Sequence, residues 1–222
     1  MRLTFLAFFM LLLLSCQQSR LKDHPEWQQH FADYGIENGC FMLRDQTHEV
    51  IHYYNKDRCL EQVTPASTFK ILNALIALET GVALDDQLVI PWDSVERRIP
   101  AWNKDMNMRE AFEVSNVPYF REIARRIGPA VMKYYIDTIK YGNMNIGDQV
   151  DTFWLDGSLK ISADEQVGFV KRLYFNDLKG FSERSQRIVR SMMLREETSD
   201  YRVFYKTGWG DAGDKHILWI VG

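Results

Sequence analysis

The sequence lacks the residue patterns that mark several large classes of protein. It contains no run of lysine and arginine and no alternation of basic with aromatic residues, and its net charge is −3. The sequence therefore predicts no nucleic-acid partner. Its three cysteines and five histidines form no CxxC, HExxH or paired-histidine spacing, so no metal site is predicted either. Internal repeats and low-complexity segments are also absent, and the length favours one compact unit with two lobes.

The one long apolar run stands at the N-terminus. Arg2 precedes LTFLAFFMLLLL, and a small residue follows it, which predicts a secretory signal over residues 1–15 rather than a spanning helix. LLSC, Leu13 to Cys16, resembles the lipobox of bacterial lipoproteins. That resemblance implies an exported, periplasmic protein attached to a membrane through lipidated Cys16, and a plain signal cut nearby is the alternative. Residues 16–26 are polar and predict a tether.

Two cysteines remain after Cys16. Cys40 and Cys59 flank a predicted hairpin, whose strands CFMLRD and EVIHYYN surround a polar turn. In an oxidising compartment the two cysteines could pair. The spacing permits this disulfide without implying it.

The stretch TPASTFKILNALIALETG, from Thr64 to Gly81, predicts a buried helix over residues 66–79. Its apolar residues surround much of the helix, which is typical of an interior helix. Lys70 lies in it one turn after Ser67, so the lysine nitrogen can meet the serine oxygen. A buried lysine is costly unless it is paired or loses its charge. Catalysis would explain the pair, since a serine hydroxyl needs a base, and backbone N–H groups at a helix start suit an oxyanion.

Helical spacing fills the middle of the chain, and strands lie towards both ends. Further helices are predicted in MREAFEVSN, VPYFREIARRIG, PAVMKYYIDTIKYG, SADEQVGFVKRLYFNDL and SERSQRIVRSMML, and strands in YRVFYKTG and KHILWIVG. Ser162 and Glu165 predict a capping box. We therefore expect an α/β fold with α and β layers over residues 27–222. One antiparallel sheet, built from N- and C-terminal strands and flanked by helices, would carry an inserted helical lobe of about residues 82–155.

An S-x-x-K pattern is a weak signal by itself. Average residue usage yields roughly one chance copy in a chain of this length, and a second copy does occur at Ser19-Arg20-Leu21-Lys22 in the predicted tether. Three short elements follow Ser67 and Lys70 in order: Ser115-Asn116-Val117, Tyr141-Gly142-Asn143 and Lys206-Thr207-Gly208. The ordered set is far rarer than any of its members.

These motifs, with PASTFKI, VSNVPYF, YGN, FWLDGSLKIS and YKTG, resemble the class D β-lactamases, the oxacillinases of the penicillin-recognising serine enzymes. The resemblance implies a β-lactamase/transpeptidase-like fold and hydrolysis of β-lactam antibiotics through a serine acyl-enzyme, and hence antibiotic resistance. Val117 stands where class A enzymes have an asparagine in their S-D-N motif, and we find no counterpart of their separate catalytic glutamate.

The resemblance also implies roles for individual residues. Lys70 would take up CO2 from dissolved bicarbonate as a carbamate and act as the general base, with no other cofactor. The carbamate pocket would be formed by Val117, Phe69 and Trp154, the last through its indole N–H. Core packing is the alternative for Trp154.

The remaining roles surround the substrate. Ser67 would attack the lactam carbonyl, and Ser115 would relay a proton to the leaving nitrogen. Lys206 and Thr207 would meet the substrate carboxylate, and the oxyanion would be held by the backbone N–H groups of Ser67 and Trp209. Gly208 would let the strand edge approach closely, and the pocket wall would include Tyr141 and Asn143. Taken singly, Ser115 could be a helix cap and Lys206 an exposed strand lysine.

Two alternatives share this motif set: a penicillin-sensing domain that keeps its acyl-enzyme, and a peptidoglycan-processing enzyme that penicillin inhibits. Such sensors usually follow several membrane helices, whereas this sequence begins with a leader. The resemblance further implies a continuation beyond Gly222, with another strand, a terminal helix and a carboxylate-binding arginine. We therefore expect the 222-residue chain to be C-terminally incomplete, poorly stable and weakly active.

Overall fold

The computed structural model describes residues 20–212 and 215–222 and divides into two compact units, Met1–Arg58 and Cys59–Gly222. The predicted signal, the lipobox and Cys16 lie outside the described residues. In the part that is described, no helix is both long enough and apolar enough to cross a membrane.

The N-terminal unit contains a small sheet in which the predicted hairpin is confirmed. Its elements are β1 (Arg20–Asp23), a 3-10 turn (Pro25–Trp27), α1 (Gln28–Ala32), β2 (Phe41–Asp45) and β3 (Val50–Tyr54). Strand β3 lies in the middle, antiparallel to β2 and parallel to β1. The segment predicted as a tether therefore contains a paired strand, because its extended polar backbone supplies the ladder hydrogen bonds of an edge strand.

The second unit contains the rest of the chain, and α2 (Lys56–Leu60) crosses the boundary between the units. A 3-10 turn (Ala66–Phe69) leads directly into α3 (Lys70–Glu79). The later elements are α4 (Met108–Glu113), α5 (Val117–Ile127), α6 (Pro129–Ile139), α7 (Ala163–Tyr174), α8 (Glu183–Met193), β4 (Leu194–Glu197), β5 (Arg202–Phe204), β6 (Lys206–Ala212) and β7 (Lys215–Val221).

Helix α3 forms the centre of this unit, as its apolar sequence predicts. Every side chain from Lys70 to Leu78 is buried, and α5 and α8 pack against it. An asparagine of α3 contributes to this packing, since Asn73 Nδ2 donates a hydrogen bond of 3.0 Å to the Phe120 carbonyl of α5. The helix that carries Lys70 is thereby surrounded by protein on all sides.

Side-chain caps fix the starts of the helices around this centre. The predicted capping box of α7 is confirmed, because Ser162 Oγ accepts from the Glu165 N–H and the Glu165 carboxylate accepts from the Ser162 N–H. Asn107 and Glu110 form a second box at α4, and Asn116 caps α5. These short-range hydrogen bonds satisfy N–H groups that a helix start leaves without partners.

The α/β class is confirmed, whereas the pairing of both chain ends in one sheet is not observed among the described strands. They form three sheets, β1-β3-β2, β4-β5 and β6-β7. Strands β6 and β7 pair antiparallel from Lys206 opposite Val221 to Ala212 opposite Lys215. The described strands near each end of the chain pair with strands close to them in sequence. Alternation of apolar residues predicts a strand but does not specify its partner.

Candidate active site

The predicted serine–lysine pair is formed at the entrance to α3. Lys70 Nζ donates a hydrogen bond of 2.6 Å to Ser67 Oγ. The lysine is 0% exposed and the serine 8% exposed, so only the hydroxyl side of the pair reaches the surface. Ala66 holds a left-handed backbone at φ 49°, and its N–H donates to the Trp154 carbonyl at 3.1 Å. A strained residue and a long-range hydrogen bond thus fix the turn that presents Ser67.

Burial determines the charge state of Lys70. Loss of hydration, and next the positive charge of Lys206, lower the Lys70 pKa well below its ordinary value. Among the described residues no carboxylate forms an ion pair with it; besides Ser67, it contacts the Phe120 ring, with 5.7 Å from Nζ to the centroid. The cost of burying this lysine is therefore met by loss of charge, and a neutral amine lies beside the hydroxyl.

Trp154 lies in an aromatic cluster next to this pair. It is 0% exposed, and its ring stacks on Phe69 with centroids 5.2 Å apart. Its Nε1 is buried and has no hydrogen-bond partner among the described atoms. A buried N–H without an acceptor is unfavourable by about 1–3 kcal/mol, and such groups usually indicate a missing partner. An anionic group on Lys70 would supply an acceptor, so the residues present fit the predicted carbamate.

The second predicted pair, Ser115 with Lys206, is also brought together. Lys206 Nζ donates to Ser115 Oγ at 2.9 Å and to the Thr207 carbonyl at 2.9 Å. Lys206 is 1% exposed, so it is not the exposed strand lysine of the alternative interpretation. Asn116, not Ser115, is the N-cap of α5. Ser115 itself has φ 56°, in the left-handed region that disfavours a residue with a Cβ.

The pKa of Lys206 is lowered towards neutral pH. Burial, and next the positive charge of Arg195, lower its pKa from 10.5 to about 8. Its Nζ lies 5.7 Å from the centroid of the Phe112 ring. A lysine with this pKa can both donate and accept a proton near pH 8, which is what exchange with the Ser115 hydroxyl requires.

Gly208 permits close packing of β6 against the Ser67 turn, and its approach to a ligand stays a prediction. A Cβ at this position would lie 3.0 Å from the Pro65 carbonyl oxygen and 3.1 Å from Thr68 Cγ2. Strand alternation places Lys206 and Gly208 on this buried face and leaves Thr207 and Trp209 exposed, Trp209 by 67%. The absence of a side chain at Gly208 therefore sets the distance between β6 and the nucleophile.

Replacement of Gly208 by alanine is expected to lower the free energy of unfolding by about 1–3 kcal/mol, because the added methyl overpacks a backbone contact. Denaturant unfolding measures this loss. Gly168→Ala in α7 is the matched control, since a Cβ there meets nothing within 4 Å and alanine favours a helix by about 0.5–1 kcal/mol. Equal stability of the two variants would contradict the packing argument.

Tyr141 and Asn143 make structural contacts. The Tyr141 hydroxyl donates to Gln166 Oε1 at 3.3 Å, and Gln166 Nε2 donates to Thr68 Oγ1 at 2.7 Å, directly behind Ser67. Asn143 joins its loop to Lys160, whose N–H it accepts at 3.0 Å. Tyr141 is buried and Asn143 exposed. Both shape the surroundings of the site, and their direct contact with substrate stays a prediction.

Three further residues belong to the site although the sequence analysis assigned them no role. Phe120 faces Lys70, Phe112 faces Lys206, and Gln166 supports the Ser67 turn. Val117, predicted to line the Lys70 pocket, is half-buried at the first position of α5, one turn before Phe120. Helical spacing marks these aromatic residues as core, but it does not say which lysine they face.

Comparisons with known proteins place this geometry in context. Residues 28–222 match the family model described as the penicillin binding protein transpeptidase domain. Beta-lactamase OXA-48 of Klebsiella pneumoniae is 41% identical over 201 residues, which cover 90% of this chain and 75% of that protein. Beta-lactamase OXA-10 of Pseudomonas aeruginosa is 36% identical over 224 residues, covering 99% of this chain and 84% of that protein.

Solved structures give the same result at the level of the fold. The class D β-lactamase FUS-1 (OXA-85) of Fusobacterium nucleatum subsp. polymorphum superimposes with a TM-score of 0.86 at 35% identity, over 90% of this chain and 82% of that one. A class D β-lactamase from Sebaldella termitidis gives 0.85 at 35% identity, over 92% and 82% of the two chains. The sequence and the backbone thus point to the same group of relatives.

Proposed function

The chain belongs to the class D β-lactamases, which are related to penicillin-binding transpeptidase domains, and on that premise we propose which residues carry out each step of β-lactam hydrolysis. The observation that carries the proposal is the hydrogen bond of 2.6 Å between Ser67 Oγ and the buried Nζ of Lys70. A serine hydroxyl becomes a nucleophile when a base lies within hydrogen-bond reach. Ser67 is accordingly the nucleophile, and Lys70 carries the base.

Acylation begins at this pair. The base on Lys70 takes the Ser67 proton while Oγ attacks the lactam carbonyl, and the backbone N–H groups of Ser67 and Trp209 bind the developing oxyanion. When the ring C–N bond breaks, the nitrogen takes a proton from the Ser115 hydroxyl, which Lys206 replenishes across a contact of 2.9 Å. The products of this half-reaction are an ester on Ser67 and a protonated ring nitrogen.

Lys70 also has to serve the second half-reaction. Carbon dioxide held on its neutral nitrogen would supply a carbamate oxygen able to accept a proton, first from Ser67 and later from water. The lowered pKa of Lys70 favours the neutral amine that such an addition needs, and the partnerless Trp154 N–H is the donor that would hold the group. Water then attacks the ester, Ser67 recovers its proton, and a carboxylate product leaves.

Substrate recognition falls to the exposed side of β6. Thr207 lies exposed beside Trp209 on the strand face opposite Gly208, and we assign the substrate carboxylate to the Thr207 hydroxyl, while Lys206 on the buried face serves the proton relay with Ser115. Charge-assisted hydrogen bonds of this kind orient an anion strongly. Tyr141 and Asn143 would limit the pocket from behind and from the side.

We also propose export and a lipid anchor at Cys16, which would place the enzyme in the periplasm, attached to a membrane. The support for this is the sequence alone, in the positively charged start, the short apolar run and the LLSC segment. The order of these three features is what distinguishes a lipoprotein leader from a spanning helix.

A chromogenic β-lactam tests the proposed function. We expect repeated turnover, with product exceeding enzyme many times over, and no signal from the Ser67→Ala variant because acylation stops. One stoichiometric burst without turnover would instead indicate a penicillin sensor or a penicillin-inhibited peptidoglycan enzyme. Mass spectrometry of the acylated serine separates that result from simple inactivity.

A further inference from the structure

Arg195 occupies an irregular position in the β4–β5 pair. Leu194 lies opposite Phe204, but the next aligned pair is Glu196 with Val203, so Arg195 has no residue opposite it. An extra residue of this kind forms a β-bulge, which redirects side chains and is frequent beside active sites. In an unbroken ladder Arg195 would take the position opposite Val203. The bulge therefore decides where its guanidinium points.

The guanidinium lies against two aromatic rings. Its Cζ is 5.9 Å from the centroid of Phe112 and 5.9 Å from that of Tyr205. Its neighbours in the strand bind elsewhere, Glu196 to the Tyr201 hydroxyl and Glu197 to Arg202. In the described part of the chain no carboxylate forms an ion pair with Arg195. The ring faces stabilise the guanidinium without neutralising it, so its positive charge still acts on nearby charges.

Phe112 joins this arginine to the active site, because the Nζ of Lys206 lies 5.7 Å from the centroid of the same ring. We propose that Arg195 is a positioning residue that eases loss of a proton from the Lys206 ammonium, so that Lys206 readily replenishes the proton of the Ser115 hydroxyl. The inference deepens the proposed function and rests on the proton relay assigned there. Arg195 does not touch the reacting atoms and acts through Lys206.

The charges around Lys206 support this role. Two basic residues lie near it: Arg195 on β4, and Lys70 on α3, whose own pKa is lowered well below its ordinary value. Ser115, Phe112 and the Thr207 carbonyl supply its other contacts. Arg195 is the second cause, after burial, of the lowered Lys206 pKa. Because Arg195 Cζ and Lys206 Nζ lie 5.9 Å and 5.7 Å from the same ring centroid, they are at most about 12 Å apart, and two like charges at that distance in an effective dielectric of about 20 shift a pKa by about one unit.

The sign of the expected change follows directly. A neighbouring cation disfavours the protonated amine, so removal of Arg195 raises the Lys206 pKa. In Arg195→Gln we expect a rise of about one unit at low ionic strength, with the Lys206-dependent limb of the acylation pH profile moving upward equally. Arg195→Met, which keeps the aliphatic stem against the rings, should behave alike, and Arg195→Lys should restore the wild-type value.

The experiment combines two readouts. NMR titration of lysine labelled with ¹³C at Cε gives the Lys206 pKa, assigned with Lys206→Arg, and stopped-flow acylation gives the pH profile. Arg187→Gln on α8 removes the same charge from an exposed arginine that has no aromatic contact with the site among the described residues, and it serves as control. If both charge-removing variants of Arg195 shift the pKa no more than Arg187→Gln does, the inference is overturned. Absence of any acyl-enzyme would refute the proposed function instead, while the NMR titration would still decide the role of Arg195.

Discussion

Replacement of Lys70 by alanine is expected to lower the rate of β-lactam hydrolysis by about 10⁴-fold or more, since Ser67 then has no base for attack and water none for release. Any acyl-enzyme that forms slowly should persist. Steady-state turnover of a chromogenic β-lactam measures the loss, and mass spectrometry of the intact protein detects the trapped ester. Because no carboxylate among the described residues forms an ion pair with Lys70, the variant leaves no buried charge without a partner.

The control for this prediction is Lys133→Ala. Lys133 is an exposed lysine of α6 that pairs only with Asp137, a contact of small energetic weight at a surface. We expect its turnover to match that of the wild type. A Lys70→Ala enzyme that retained a tenth of the wild-type rate would show that the proton acceptor lies elsewhere.

Replacement of Trp154 by phenylalanine is expected to lower turnover at ambient CO2 by roughly 10²-fold, as does the loss of a hydrogen bond that orients a bound group. The substitution removes the N–H that has no partner among the described residues and keeps an aromatic ring stacked near Phe69. Added bicarbonate should restore part of the activity by mass action. NMR with ¹³C-bicarbonate should show a carbamate signal in the wild type and a weaker one in the variant.

The pH dependence gives this prediction a direction. Below its lowered pKa Lys70 becomes an ammonium, which cannot add CO2, so wild-type activity should fall in bicarbonate-free buffer at low pH and recover with bicarbonate. Trp92→Phe is the matched control, since the Trp92 N–H already donates to the Val95 carbonyl at 3.0 Å. Indifference of Trp154→Phe and the wild type to bicarbonate would indicate that Lys70 works as a simple amine.

Much of the site follows from the sequence because its signals are local. The spacing of Ser67 and Lys70, the apolar surroundings of α3 and the capping box at Ser162 each depend on residues within one or two helical turns. Such patterns are decided by backbone periodicity and need no knowledge of the rest of the fold. The conformation of the first turn is the exception, since Ala66–Phe69 is a 3-10 helix held by Trp154 from a distant part of the chain.

The sequence did not predict which residues that are far apart in the chain contact each other. Gln166 donates a hydrogen bond to Thr68, which lies 98 residues away in the chain, and no pattern in either segment indicates this contact. The single sheet expected from both ends of the chain is not observed among the described strands for the same reason, because alternation marks a strand without identifying a distant neighbour. The bulge at Arg195 arises from the offset between two strands, so it becomes visible only when both are aligned.

The backbone conformation of Ser115 predicts which residue would replace it in relatives that have lost the activity. A serine at φ 56° is held in a conformation that glycine adopts without strain, at a cost of about 1–3 kcal/mol. Glycine would relieve this backbone strain but has no hydroxyl, so we expect serine at this position only where the reaction requires the hydroxyl. A relative that carries glycine at this position would gain folding stability and lose the Ser115 hydroxyl. That substitution in its sequence would therefore indicate that the activity is no longer needed.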